Sequence, residues 1–175
     1  MLQTPDSAFV STLVAGGSEG TYFNDLITLG WPGISPLDVK HPITVIEVRH
    51  GWVVDALNIT YKLKDGTTKQ IKHGAESGGN STVIQLSEDE VLADISGKAG
   101  YHSYYKKALV CQLSLVIFNE KTSTFRTVGP LGNGDNTNQG AVFHDAGTLA
   151  FAGYETSGAQ TGISGLSFIT SKAWE

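Results

Sequence analysis

At 175 residues, with 40% hydrophobic and only 17% charged residues, the chain is long enough to bury a core and too apolar to be disordered; its 21 glycines suit a turn-rich β domain better than a helical bundle. A net charge of −5 with scattered lysines and arginines excludes the electrostatic footprint of a nucleic-acid or anionic-membrane binder. The lone Cys111, inside an apolar run, excludes an internal disulfide and reads as a buried small hydrophobe.

The segment Met1 to Ala15 holds Pro5 and Asp6 and lacks the basic and apolar regions of a signal peptide. With no apolar run of membrane-spanning length, membrane insertion is not expected, and a cytoplasmic or non-classically secreted protein is. Ser7 to Val14 reads as a first strand, followed by the glycine loop Gly16-Gly17-Ser18-Glu19-Gly20, whose glycines mark positive φ or close approach. Leu29 to Pro42 is irregular, because its prolines remove ladder donors and restrict the residues before them. From Ile43 the pattern turns regular. Ile43, Val45 and Val48 alternate before Gly51, and Val53, Leu57, Ile59 and Tyr61 resume the two-residue period after it, so Gly51 marks a hairpin.

Asp65-Gly66 marks the next turn, Lys69 to His73 the next strand, and His73 to Asn80 a second glycine loop that leads into Thr82 to Leu86. Ser87-Glu88-Asp89-Glu90 resembles a helix cap, yet the strands around it favour an extended reading for Val91 to Ile95. Tyr104 to Phe118 carries the longest apolar run and Thr122 to Val128 its return strand. After the polar loop Gly129 to Gly140, Ala141 to Phe143, Leu149 to Tyr154 and Leu166 to Ile169 complete about eleven or twelve short strands, the spacing of a sandwich, barrel or prism. Gly16 to Gly20 recurs around Gly74 to Gly79, and Gly158 to Phe168 echoes Gly51 to Tyr61, a weak internal repeat that Greek keys would explain.

Asp55 stands just inside the strand that leaves Gly51, and a carboxylate beside the free backbone N–H groups of a glycine turn makes a small polar pocket suited to vicinal hydroxyls. The five histidines lack metal-ligand spacing and read as surface or strand-edge residues, with His50 and His73 flanking the pocket. No nucleophile elbow or acid–base signature is present, and Glu88-Asp89-Glu90 reads as a solvated acidic turn, so no enzyme activity, metal or cofactor is expected. Tyr101-His102-Ser103-Tyr104-Tyr105 reads as a further sugar platform, a subunit contact or a half-buried edge.

These two glycine loops, the hairpin Gly51 to Tyr61, Gly129-Pro130-Leu131-Gly132 and the segment Phe151 to Phe168, in that order, resemble the jacalin-related lectins of mannose-binding type. The resemblance implies an all-β fold, a β-prism of three four-stranded Greek-key sheets about a pseudo-threefold axis, spanning residues 1–175 with 1–13 as an extension or first strand. It further implies metal-independent binding of mannose- or glucose-type glycans or glycoproteins, and a homo-oligomer. In the family, a Gly-x-x-x-Asp turn meets a facing glycine loop. Gly51-Trp52-Val53-Val54-Asp55 matches that turn, with Gly78-Gly79-Asn80 facing it: Asp55 would accept from two hydroxyls, the N–H groups of Val53 and Val54 and of Gly79 or Asn80 would donate, and Trp52 would cover a sugar face. The family's usual site corresponds to Gly158-Ala159-Gln160-Thr161-Gly162, with Gly162 where the aspartate belongs, facing Glu19 and Gly20. Glu19 either replaces that acceptor or blocks the pocket, and the residues leave both open. A β-prism that has lost sugar binding and serves as an interaction or assembly module is the alternative.

Overall fold

The computed structural model describes residues 8–33, 37–75, 77–133, 136, 140–156 and 162–172. Along them run β1 (Ala8–Ser11), β2 (Ala15–Gly16), β3 (Thr21–Asn24), the helix α1 (Asp25–Thr28), β4 (Ile43–His50), β5 (Val54–Lys62), β6 (Thr68–Gly74) and β7 (Asn80–Gln85). They are followed by β8 (Glu90–His102), β9 (Lys107–Asn119), β10 (Thr124–Gly132), β11 (Ala141–Ala146), β12 (Ala150–Glu155) and β13 (Ile163–Lys172).

Two antiparallel sheets have the strand orders β6-β5-β4-β7 and β10-β9-β8-β11. In the third, β1 and β2 pair successively with β13, Ser11 opposite Ile169 and Ala15 opposite Leu166, so they are two segments of one edge position beside β13, β12 and β3. Each sheet is therefore the same Greek key, built on a central hairpin (β4–β5, β8–β9 or β12–β13) with one outer strand on each side. The expected β-prism of three four-stranded sheets is the fold observed. The third key is closed by strands from the beginning of the chain.

Alternation explains which side chains form the core. On the central hairpins Ile46, Val48, Leu57, Ile59, Ile95, Leu113, Leu115, Phe151, Leu166 and Phe168 are all buried in one cluster. The outer strands are shorter or more polar and leave Val83, Phe125 and Val142 exposed. Glu90 opens β8 as the extended reading expects, but the acidic turn is not simply solvated: Arg126 donates to both carboxylate oxygens, at 2.8 and 3.0 Å, and holds that carboxyl down at about 2.

A polar network sits inside the core. Asn24 caps α1 through the Ile27 N–H, which places Asp25 fully out of solvent. Asp25 accepts from the Tyr61 hydroxyl and lies 2.7 Å from His73 Nε2, and Tyr61 in turn accepts from the Phe151 N–H. Burial, with Asp25 beside it, pushes the Tyr61 phenol well above its usual range, so it remains the donor. His73 is 5% exposed and stacks on Phe23 with ring centroids 3.6 Å apart, and His102 is 1% exposed. The pattern reads both as surface or strand-edge residues; His73 does lie on the outer strand β6, but neither side chain is at the surface. Strand alternation turned them inward, and for His73 the Asp25 carboxylate meets the polar cost.

Candidate functional site: three corners at one end of the prism

Strand pairing brings the three hairpin tips to one end, each beside the loop that joins the outer strands of its own sheet. At the first corner Glu155 pairs with both Ile163 and Thr21, and Gly165 with Gly16. At the second, His50 pairs with Val54 and Asn80, and Ala56 with Gly74. At the third, Ala99 pairs with Val110 and Ala141, and Gln112 with Gly132.

In all three hairpins the register slips by one residue at the same level, and the residue left without a cross-strand partner is Asp55, Ser164 or Cys111. The glycines opposite agree: Gly74, Gly16 and Gly132 have φ of +85°, +100° and +95°, and a Cβ on each would sit 2.3, 2.5 and 2.3 Å from the carbonyl oxygen of Asp55, Ser164 and Cys111. Ser164, not Gly162, therefore occupies the first corner's equivalent of Asp55. The expectation that Gly162 stands at the acceptor position is two residues out of register, because the first tip spans residues 156–162 where the second spans only 51–53. Gly158, Ala159, Gln160 and Thr161 lie outside the described residues; Gly162 packs against the second tip, where a Cβ would come within 2.7 Å of the Val54 carbonyl.

Of the three equivalents, only Asp55 carries a charge and reaches solvent. Ser164 and Cys111 are both 0% exposed. Glu19 is exposed, and no hydrogen bond or ion pair among the described residues involves it.

At the second corner the tip and the facing loop close on the carboxylate. A Cβ at Gly79 would meet Asp55 Oδ2 at 2.7 Å and the His50 carbonyl at 2.5 Å, and Gly79 has φ +59°, so only glycine lets the loop approach this closely. A Cβ at Gly51 would lie 3.8 Å from Gly79 Cα and 3.9 Å from Asp55 Oδ2. The Asp55 side chain accepts no hydrogen bond among the described residues, and burial raises its pKa from an ordinary 3.8 to about 6. Gly78 and Asn80 are exposed on the rim. His50 pairs with Val54 and Asn80 across this corner, its Nε2 2.9 Å from Thr82 Oγ1, with burial lowering its pKa.

Val53 and Val54 are 1% and 0% exposed as whole residues, so their backbone as well as their side chains is covered, and the donors expected of their N–H groups do not face solvent. The Gly51 N–H closes the tip on the Val53 carbonyl at 3.0 Å; no turn hydrogen bond among the described residues uses the N–H of Trp52 or Val53. Trp52 is 45% exposed and stands edge-on to Tyr104, ring centroids 5.3 Å apart. The loop is tied to the core from below: the Glu155 carboxylate accepts from the Gly74 N–H at 2.5 Å and lies 3.7 Å from His73 Nδ1. That link was not visible in the residue pattern, since Glu155 and Gly74 are neighbours only through the prism.

A half-buried carboxylate with no hydrogen-bond partner among the described residues, flanked by a tight turn and a glycine loop, is an acceptor prepared for hydroxyl donors. Among the described residues no group of three or more His, Cys, Asp or Glu side chains is placed to hold a metal ion.

The jacalin-like lectin domain model matches residues 14–160. A mannose-binding jacalin-related lectin from Ananas comosus is 26% identical and superposes with a TM-score of 0.68 over 94% of this chain and 99% of its own. A mannose-specific jacalin-related lectin from Morus Nigra, solved in complex with mannose, is 20% identical, with a TM-score of 0.70 over 98% and 99% of the two chains. Wild-type Malaysian banana lectin, at 19% identity, gives 0.69 over 93% and 97%. A search of curated proteins finds no match. The matched span takes in both glycine loops, the second corner and all strands from β2 to β12, and by that match this chain belongs to the jacalin-like lectin family.

Proposed function

We propose that this protein is a lectin that binds mannose-type glycans at its second corner. The observation that carries the reading is the Asp55 carboxylate, raised to about 6, without a hydrogen-bond partner among the described residues, and in contact range of Gly79. Two vicinal sugar hydroxyls supply the donors it lacks; the N–H groups of Trp52 and of the exposed Gly79 or Asn80 supply donors to sugar oxygens; Trp52 offers an apolar face to the ring. The mannose-binding neighbour from Ananas comosus supports the sugar class. Recognition by one carboxylate and backbone donors needs no metal ion, so chelator leaves binding intact.

One competent corner per chain gives weak binding, and useful avidity comes from a homo-oligomer presenting several corners, with gains of about 10²–10⁴ where geometry permits. The opposing reading, an assembly module without sugar binding, draws on the loss of the carboxylate at the other two corners, where Ser164 and Cys111 stand. Isothermal titration of the purified protein with methyl α-mannoside and α-linked mannotriose separates them. Millimolar or tighter binding that is lost in Asp55→Asn establishes the lectin, and no heat with any mannoside selects the assembly module.

A further inference from the structure

The glycine loop that closes on Asp55 is held at its two ends. Its far end is set by the pairing of Asn80 with His50, and among the described residues no backbone turn hydrogen bond involves residues 77–79. Its near end is Gly74 and Ala75. The Ala75 N–H donates to the Asp55 carbonyl at 2.9 Å, so by strand alternation the N–H of Gly74 points away from β5, towards the open edge of the sheet. An edge N–H that water does not reach needs a partner from outside its own sheet. That partner is Glu155, whose Oε2 accepts from it at 2.5 Å.

By its backbone Glu155 belongs to the first corner, where it pairs with Ile163 and Thr21, yet its side chain crosses to the second. His73 helps to hold it there. Glu155 Oε1 lies 3.7 Å from His73 Nδ1, a buried nitrogen without a hydrogen bond, while His73 Nε2 is 2.7 Å from Asp25. Asp25, His73, Glu155 and the Gly74 N–H thus form one line from the core to the base of the loop.

We propose that Glu155 is a positioning residue for sugar binding: from the first corner it fixes the Gly74 peptide, and through it the reach of Gly79 towards Asp55. This rests on the reading of the Asp55 corner as the sugar site. A charged acceptor makes the stronger kind of hydrogen bond, and a loop ordered before the ligand arrives loses little freedom on binding. Without Glu155 the near end keeps only the Ala75 bond and the strand pairing below it. The loop then moves off Asp55 and admits water to a carboxylate that burial now sets apart.

Calorimetric titration of the full chain with methyl α-mannoside from pH 4 to 8, with thermal melts, on wild type, Glu155→Ala, Glu155→Gln and Glu90→Ala tests this. Glu155→Ala binds about three- to tenfold more weakly at pH 7.5, and the midpoint of its pH profile moves from about 6 towards 3.8 as water reaches Asp55. Glu155→Gln keeps an acceptor for the Gly74 N–H and stays within about twofold of wild type at pH 7.5. Glu90→Ala removes the partner of Arg126 at the other end of the β8–β9 hairpin, and lowers the melting temperature without moving affinity or midpoint. A Glu155 with a structural role alone behaves like Glu90. Glu155→Ala that melts lower but keeps affinity and midpoint, or Glu155→Gln that loses as much as Glu155→Ala, overturns the positioning role and leaves the Asp55 site standing. Where Glu155→Ala does not fold by circular dichroism, Glu155→Asp, which keeps the charge but shortens the reach to Gly74, is read in its place against the same outcomes. Wild type that binds no mannoside overturns the Asp55 reading and the positioning role with it.

Discussion

Replacing Asp55 by asparagine keeps the shape of the second corner and removes its charge, and the raised pKa makes the consequences specific. At pH 7.5 a carboxyl with a pKa of about 6 is almost wholly ionised, whereas at pH 5 only about one molecule in eleven carries the charge. Sugar hydroxyls donate to the ionised form, so mannoside affinity falls about tenfold between pH 7.5 and 5, near 1.4 kcal/mol. A carboxyl at the ordinary 3.8 would lose almost nothing over that range. In Asp55→Asn the affinity at pH 7.5 drops by about one to two powers of ten, the cost of a charge-assisted bond, and the pH dependence disappears. Stability moves the other way. Because the folded pKa is raised, Asp55 is harmless below the unfolded value of 3.8, and its ionisation costs the native state as pH rises through about 6. Two pKa units correspond to about 3 kcal/mol; discounted for partial exposure to about 1 kcal/mol, this leaves Asp55→Asn about 2–4 °C more heat-stable at pH 7.5 and no different at pH 4. Calorimetric titration and thermal melts across pH 4–8 read both. A wild-type affinity flat from pH 7.5 to 5, or a pH dependence that survives in Asp55→Asn, refutes the reasoning; in the second case His50, at the same corner, is the next group to replace.

The remaining expectations concern the loops and the core. Gly79→Ala places a methyl within 2.7 Å of Asp55 Oδ2 and strains a left-handed residue, so mannoside binding falls at least tenfold by titration and the melting temperature drops. Glu19→Gly leaves both affinity and stability unchanged, since Glu19 is exposed and makes no hydrogen bond or ion pair among the described residues; a change in mannoside affinity would mean that the first corner works after all. Asp25→Ala strands the Tyr61 hydroxyl and the His73 imidazole in the core and costs about 3–5 kcal/mol in urea unfolding, far more than any loop substitution. Ser164→Asp does not restore a site at the first corner: at 0% exposure the new carboxylate destabilises the fold by several kcal/mol without conferring sugar binding.

The strands and the second corner were legible because their signals are local. Alternation from Ile43 to Tyr61 sets one hairpin, the tip residues 51–55 lie within one turn, and the facing glycines mark where a second loop must come close. Register at the first corner was not legible, because an ungapped comparison of Gly158 to Phe168 with Gly51 to Tyr61 carries no record of the longer tip; only the pairing Gly165↔Gly16 moves the acceptor position to Ser164. The length of the β8–β9 hairpin was hidden for a related reason. Ala108 to Cys111 are apolar in succession, so nothing in the residues marks where that hairpin passes the level at which the other two end. Asp25 could not be matched with Tyr61 and His73, since partners 36 and 48 residues away are set by topology and not by any local pattern.

The closing of the third sheet by β1, β2 and β3 also sets an order of events for the nascent chain. Those strands are synthesised before β4 to β11, and their partners β12 and β13 after them: Ala8 lies opposite Lys172, and Thr21 opposite Glu155. While β4 to β7 and then β8 to β11 complete their own keys as they emerge, β1 to β3 wait with unpaired edges and with Phe9 and Phe23 uncovered. Completion of that sheet must await the synthesis of β13, and during that interval β1 to β3 are the strands most open to misassociation with a neighbouring chain.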